Sequence, residues 1–174
     1  CPFHAWTYDL EGGLAAIPLG EAGYAGLDRR RLGLHPRPCS ESSGLILVRA
    51  EGDEPIDASA WLGEIAGDLA ALGLARFHPF ASRSTRWQAN WKLLLETFLE
   101  SYHVFSLHRE TVHPFYFSLP MVADPIGPHL RFPVARRTLA DLRGQPEVDW
   151  RLVEHATVQW FLAPNALLSA TRDY

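Results

Sequence analysis

Read for hydrophobic periodicity, the chain alternates with period two near its start and with a helical period through its middle. WTYDLEGGLAAIP (6–18) alternates on both sides of Glu11-Gly12-Gly13, where glycine supplies the positive φ of a tight turn, and so predicts a β-hairpin. Residues 20–43, rich in Gly, Arg, Pro and Ser, read as loop. GLILVRA (44–50) reads as a short buried strand and EGDEP (51–55) as a turn or linker. In DASAWLGEIAGDLAALGL (57–74), Trp61, Ile65, Leu69 and Leu72 recur at spacings of three and four, predicting one amphipathic helix. RFHPFASRSTRWQA (76–89) reads as extended, with a proline interruption.

NWKLLLETFLESYH (90–103) is the strongest helix, with Asn90 as its N-cap and Leu94 and Phe98 on one face. Five prolines from Pro114 to Pro133 break regular structure and predict a loop that wraps over something. HLRFPVARR (129–137) reads as a strand and TLADLRG (138–144) as a short helical turn. HATVQWFLAPNALLSAT (155–171) reads as two strands joined at Pro164-Asn165. The order is β first, then α+β, with a boundary near residues 51–57.

Composition narrows the function. A hydrophobic content of 47% against 21% charged residues is enough for a true core. A net charge of −4 gives no overall basic field for nucleic acid, and no apolar run approaches the ~18–20 residues of a membrane span. The start lacks the features of a signal peptide. Two cysteines, Cys1 and Cys39, cannot make a disulfide framework, which fits a reducing, cytoplasmic setting. The 8 His, 6 Trp and 9 Phe are many for 174 residues, and they concentrate around 78–117, where chemistry is expected.

Within the strong helix, Glu96, Glu100 and His103 fall at i, i+4 and i+7 on one face. His108 would lie about 140° around a regular helix from His103, so the helix must bend or end near Val104–Ser106 for both imidazoles to reach one ion. Each residue alone reads more readily as a solvated or packed side chain. Together, acids and imidazoles interrupt a run of Leu and Phe, and burying them without partners costs several kcal/mol. Two neutral imidazoles with a carboxylate from a distant segment form the facial triad suited to non-haem Fe(II). At the chain's start, Cys1-x2-His4 is half of a metal ligand set, one thiolate and one imidazole.

CPFHAWTYD, followed about a hundred residues later by NWKLLLETFLESYHVFSLH, resembles the α subunit of Rieske non-haem iron oxygenases, the ring-hydroxylating dioxygenase and monooxygenase family. The resemblance implies an α+β chain: the C-terminal part of an all-β Rieske domain (1–53), then part of a helix-grip, START-like catalytic domain (54–174). It implies that Cys1 and His4 are half of the ligands of a 2Fe–2S cluster, with Trp6 as its aromatic cover. It also implies that His103 and His108 are ligands of a mononuclear Fe(II), and that Glu100 is the carboxylate linking a His on that iron to a cluster His of a neighbouring subunit. Most members carry Asp where this chain has Glu100; Glu resembles a subset that includes oxygenases of quaternary amines. Thr97 stands where many members have Asn, and Tyr102 is the usual aromatic before the first ligand His.

The family's first Cys-x-His pair is absent from this sequence, and Cys39 has no His two residues later. The family's third iron ligand is an Asp more than a hundred residues after the second His; Asp124, Asp141, Asp149 and Asp173 all come too early. The expectation is therefore an internal fragment, inactive alone. In the intact protein, a reductase or ferredoxin would carry electrons from NAD(P)H, and dioxygen would be used to hydroxylate or demethylate an aromatic or amine substrate. The expected assembly is a homotrimer, with neither nucleic acid nor membrane as partner. Two other readings stay open: a zinc hydrolase using the His pair, disfavoured by the missing H-E-x-x-H pattern, and a non-catalytic helix-grip module binding an apolar ligand.

Overall fold

In the computed structural model, which describes residues 2–171, the N-terminal hairpin forms from β1 (Thr7–Tyr8) and β2 (Leu14–Ala16), paired antiparallel. Asp9 closes its turn. The Asp9 backbone N–H donates to the Gly13 carbonyl at 2.9 Å, and its carboxylate accepts the Gly13 N–H at 2.6 Å. The loop that follows is less irregular than its composition suggests. It contains α1 (Gly20–Gly23) and a 3-10 turn at Arg29–Leu32, whose N-cap Asp28 accepts from the Arg30 N–H at 3.1 Å.

A second hairpin joins β3 (Cys39–Ser42) to β4 (Leu45–Val48) through Ser43 and Gly44, at φ 52° and 85°. A two-residue connection with both φ values positive matches the right-handed twist of the strands, which is why glycine is found there. The expected burial of this strand is corrected: Ile46 and Val48 are 69% and 61% exposed, because β4 has one covered face and one open face.

The chain divides into two compact units. The first runs to Glu41 and includes Ile46–Asp57; the second comprises Ser42–Leu45 and the residues from Ala58 onward. The division expected between residues 53 and 54 falls inside the last stretch of the first unit.

In the second unit the single helix predicted over 57–74 is broken. Gly63 adopts φ 55°, separating α2 (Ala58–Leu62) from α3 (Ile65–Leu72). The apolar stripe survives the break, since Leu62, Ile65 and Leu69 are fully buried together against Trp160 and Leu162. Those two residues belong to an antiparallel four-stranded sheet in the order β5 (Asp124–Ile126), β6 (His129–Ala135), β7 (Ala156–Leu162), β8 (Ala166–Ala170). β5 lies in the proline-rich stretch predicted as loop; at the sheet edge Pro125 is tolerated because its missing N–H is not needed there. The expected strand over 129–137 and the strand pair joined at Pro164-Asn165 both form.

Polar contacts fix helix to sheet. Asp68 on α3 accepts from the Arg131 guanidinium and the Trp160 indole N–H, each at 2.9 Å, while Arg131 also donates to Asp124 at 3.1 Å. Buried His129 donates from Nε2 to the Trp61 carbonyl at 2.7 Å and accepts the Ala163 N–H at Nδ1 at 3.1 Å. That pairing sets the tautomer of the ring and ties α2 to the β7–β8 turn.

The Ser43-Gly44 turn carries a stability prediction. A Cβ on Gly44 would stand 2.6 Å from the Ala75 backbone nitrogen, at a φ that L-residues rarely adopt. Gly44→Ala is expected to cost about 2–3 kcal/mol, read as a lowered urea midpoint. Gly52→Ala, at φ 79° but with only the Arg49 side chain within 3.9 Å, is expected to lose only the conformational part. Equal losses would show that the clash contributes nothing.

Candidate metal centre

α4 (Trp91–Phe98) begins as predicted: the Asn90 side chain accepts the Lys92 N–H at 3.0 Å. It ends earlier than predicted, and the expected single helical face for Glu96, Glu100 and His103 is corrected. Thr97 Oγ1 turns back to the Leu93 carbonyl at 2.8 Å, and the Leu99 N–H closes on Glu96 in a tighter, 3-10-like turn. Glu96 is left exposed on α4, while Glu100 lies beyond the helix end.

What joins Glu100 to His103 is a cap, not a helix face. The chain re-forms as a 3-10 turn, Tyr102–Phe105, whose N-cap Ser101 makes no side-chain capping bond. Glu100 supplies it: Oε2 accepts the His103 backbone N–H at 3.1 Å. Its other oxygen, Oε1, takes the His103 Nδ1 in a short contact. One carboxylate thus holds both the backbone and the ring of one residue. With Nδ1–H donated to the carboxylate, the lone pair lies on Nε2, the nitrogen left for a metal.

Glu100 and His103 keep 37% and 24% of their side chains exposed. Partial burial pushes the Glu100 pKa up, but the hydrogen bonds from the His103 ring and backbone, with the ring's charge, outweigh it and leave the carboxyl below its ordinary value. The pairing is therefore intact above the ordinary carboxylate range and is lost as pH falls through the lowered value.

His108 reaches His103 by continued tight winding. The His103 carbonyl accepts from Ser106 at 3.1 Å and Leu107 at 2.8 Å, and the His108 carbonyl in turn accepts from Thr111, Val112 and His113. The two rings meet edge to face with centroids 5.3 Å apart. Ser101 and Val104, both buried, anchor this stretch, with Ser101 Oγ donating to the Ser118 carbonyl at 2.8 Å. Residues 115–117 in turn bond to the end of β6 and to Arg137. Sequence spacing gave no signal for Ser101, nor for His113, whose carbonyl and Nε2 face the Arg137 guanidinium at 3.0 Å each.

Among the described residues no group of three or more His, Cys, Asp and Glu side chains converges to hold a metal ion. The His pair is a two-imidazole donor set, with Glu100 orienting one ring from behind. The early aspartates add nothing to it: Asp124 is engaged by Arg131, Asp141 and Asp149 are exposed, and Asp173 lies outside the described residues. In the first unit, Cys1 also lies outside the described residues. His4 is exposed, packs edge to face on Phe3 at 4.1 Å, and lines a cavity of about 370 Å³ with Trp6, Tyr8 and Tyr24. Cys39 is exposed with a free thiol.

Helices packed on an antiparallel sheet, with two imidazoles and an orienting carboxylate on one tight turn, have the layout of a metalloenzyme domain. The profile of the family described as "Ring hydroxylating alpha subunit (catalytic domain)" matches residues 74–174. The chain belongs to this family of oxidoreductases, as part of a Rieske oxygenase α subunit. It is 34% identical over 116 residues to the chloroplastic choline monooxygenase of Beta vulgaris, covering 63% of this chain and 25% of that one. It is 31% identical over 164 residues to the glycine betaine monooxygenase oxygenase subunit of Chromohalobacter salexigens, covering 93% and 33%. A solved quaternary ammonium Rieske monooxygenase superposes with a TM-score of 0.72 at 19% identity, over 98% of this chain and 45% of that one. The chain thus spans a quarter to a third of the length of the two curated relatives. The fold is the α+β one expected, the last part of a Rieske domain followed by part of the catalytic domain.

Proposed function

We propose that this chain carries the first two ligands of the mononuclear iron site of a Rieske monooxygenase acting on a quaternary ammonium compound or a related amine. The observation that carries the reading is the Glu100–His103–His108 turn. The donor set fits a non-haem iron: His103 and His108 would hold it through imidazole nitrogens, with Glu100 fixing the tautomer of the first. Bound there, iron supplies the binding and reduction of dioxygen, with electrons originating in NAD(P)H and passed through a reductase or ferredoxin and a 2Fe–2S cluster.

The chain's own residues do the rest. Glu100 holds the His103 ring in one orientation and keeps its Nδ1 proton. Cys1 and His4 would provide half of the cluster ligands within residues 1–53, and residues 54–174 would form the catalytic part. Phe98, Tyr102 and Phe105, all exposed around the site turn, offer aromatic faces that attract a quaternary ammonium group. The names of both curated relatives specify such substrates, choline and glycine betaine. An amine is therefore favoured over an aromatic substrate, and monooxygenation over dioxygenation. A homotrimer in the cytoplasm completes the reading. Among the described residues no helix is long and apolar enough to cross a membrane.

The test is metal and product analysis of the purified holoprotein with a reductase, NADH and either choline or glycine betaine. Iron with acid-labile sulfide, and oxygen-dependent formation of a hydroxylated or N-demethylated product, are expected. Zinc without sulfide would replace the oxygenase by the hydrolase reading, and ligand binding without any metal would leave the binding module.

A further inference from the structure

We infer that the arginine turn of the first unit, Arg29–Arg31 with Arg37, is the docking surface for an acidic electron-carrier protein. The inference rests on the oxygenase reading above and assigns the face at which its donor binds. Residues 28–37 hold four arginines against one aspartate, in a chain whose net charge is −4. All four arginines are exposed. Among the described residues none of their guanidinium groups makes an ion pair, and Asp28, the one nearby acid, is occupied in capping the turn. A 3-10 turn rises only about 2 Å per residue, so three consecutive arginines concentrate their charge within one small patch.

The patch is fixed in place beside the candidate cluster residues. Tyr24 packs edge to face on Trp6 at 6.0 Å, and both line the same cavity as His4. From Tyr24 the chain runs through two closed turns, with Leu27 N–H donating to Tyr24 and Arg31 N–H to Asp28, each at 3.1 Å. Past the turn, Leu34 N–H donates to the Gly12 carbonyl at 2.8 Å, pinning the segment to the β1–β2 hairpin that follows Trp6. Five residues of chain span at most about 18 Å, so Arg29 cannot lie farther than that from Tyr24.

Apolar side chains complete the surface. Leu27 and Leu34 are 43% and 58% exposed on either side of the arginines, giving a small hydrophobic centre with a basic rim. Unpaired guanidinium groups of this kind steer an acidic partner by long-range attraction, which shows as salt-dependent association. An electron carrier is the acidic partner that needs this position, because it must approach the cluster side of the first unit.

The probe is an acidic, plant-type 2Fe–2S ferredoxin titrated into the holoprotein at about 20 and 300 mM salt. Binding to the wild type is expected to weaken by about tenfold or more at the higher salt. Arg29 reaches back over Gly20, so the test variant leaves it in place. R30E/R31E/R37E is expected to bind about tenfold or more weakly at low salt, with the difference shrinking at high salt. R30K/R31K/R37K, which keeps the charge, is expected to stay within about threefold of the wild type. Salt-independent wild-type binding would overturn the inference even if the variant failed to fold. Unchanged binding by the Glu variant would overturn it too, as would a loss of oligomer with ferredoxin affinity intact, which would make the patch a subunit contact. Iron and sulfide assays on the same samples separate the two claims. Their absence sinks the oxygenase reading, whereas a fully loaded protein with salt-independent binding sinks only the docking surface.

Discussion

Replacing His108 by Ala is expected to abolish mononuclear iron binding and product formation while leaving the 2Fe–2S absorption of the holoprotein unchanged. The described residues contribute two imidazoles at one place, and loss of either leaves a single donor there. Changes to outer partners of a ligand already cost about 10–100-fold in metal affinity or activity, so loss of a ligand itself is expected to exceed about 100-fold. His103→Ala should match it for iron but differ in a second respect. It removes the ring that holds the Glu100 carboxyl low, so the pKa of Glu100 should rise towards its ordinary value, while in His108→Ala it should stay low. Iron analysis of the two variants gives the first readout, and a carboxyl titration of the iron-free proteins the second. Full iron occupancy in both variants would move the metal centre elsewhere.

Glu100→Gln should leave both metals bound and slow single-turnover electron delivery on the order of 100-fold. The reason lies in acceptor capacity. An ionised carboxylate offers about four lone-pair sites, and two of them serve His103, one on each oxygen. The remainder, on a side chain still 37% exposed, are free for an imidazole of a neighbouring subunit. An amide has one acceptor oxygen, so Gln can keep the backbone N–H or the ring, but not both along with an outside donor. Glu100→Asp keeps the charge with a shorter reach and should lose less. Pre-steady-state reoxidation of a chemically reduced cluster decides the matter. Parent-like rates in the Gln variant would place Glu100 on an ordinary solvated surface, where losing one charge changes stability by no more than about 0.5 kcal/mol.

The parts of this structure that depend on near neighbours could be read from the sequence. Asn90 before an apolar run, glycines in the first hairpin and Pro164-Asn165 between two apolar stretches each specify a local geometry, and the structure adopts it. The pairing of Glu100 with His103 was also legible, but for a different reason from the one its spacing suggested. An acid three residues before a backbone N–H satisfies a helical face and a capping turn equally well, and only Thr97's bond to Leu93 decides between them. Gly63 was likewise ambiguous, because glycine within a helical pattern can be carried through or can break it at positive φ. The clamp made by Asp68 was beyond reach. Its partners lie 63 and 92 residues away, and no local period reports such a contact.

The stretch from Phe77 to Asn90 is exposed throughout and joins the two sides of the second unit's core. Before it come Leu62, Ile65 and Leu69; after it come Trp160 and Leu162, with Asp68 reaching across to Arg131. Packing and hydrogen bonds hold these sides together, and covalent continuity through the connecting strap adds only loop-closure entropy. Doubling the length of such a strap costs only about 0.6 kcal/mol. The strap can therefore lengthen, shorten or diverge among descendants of this chain while α3 keeps its seat on the sheet, which makes it the natural place for lineage-specific insertions.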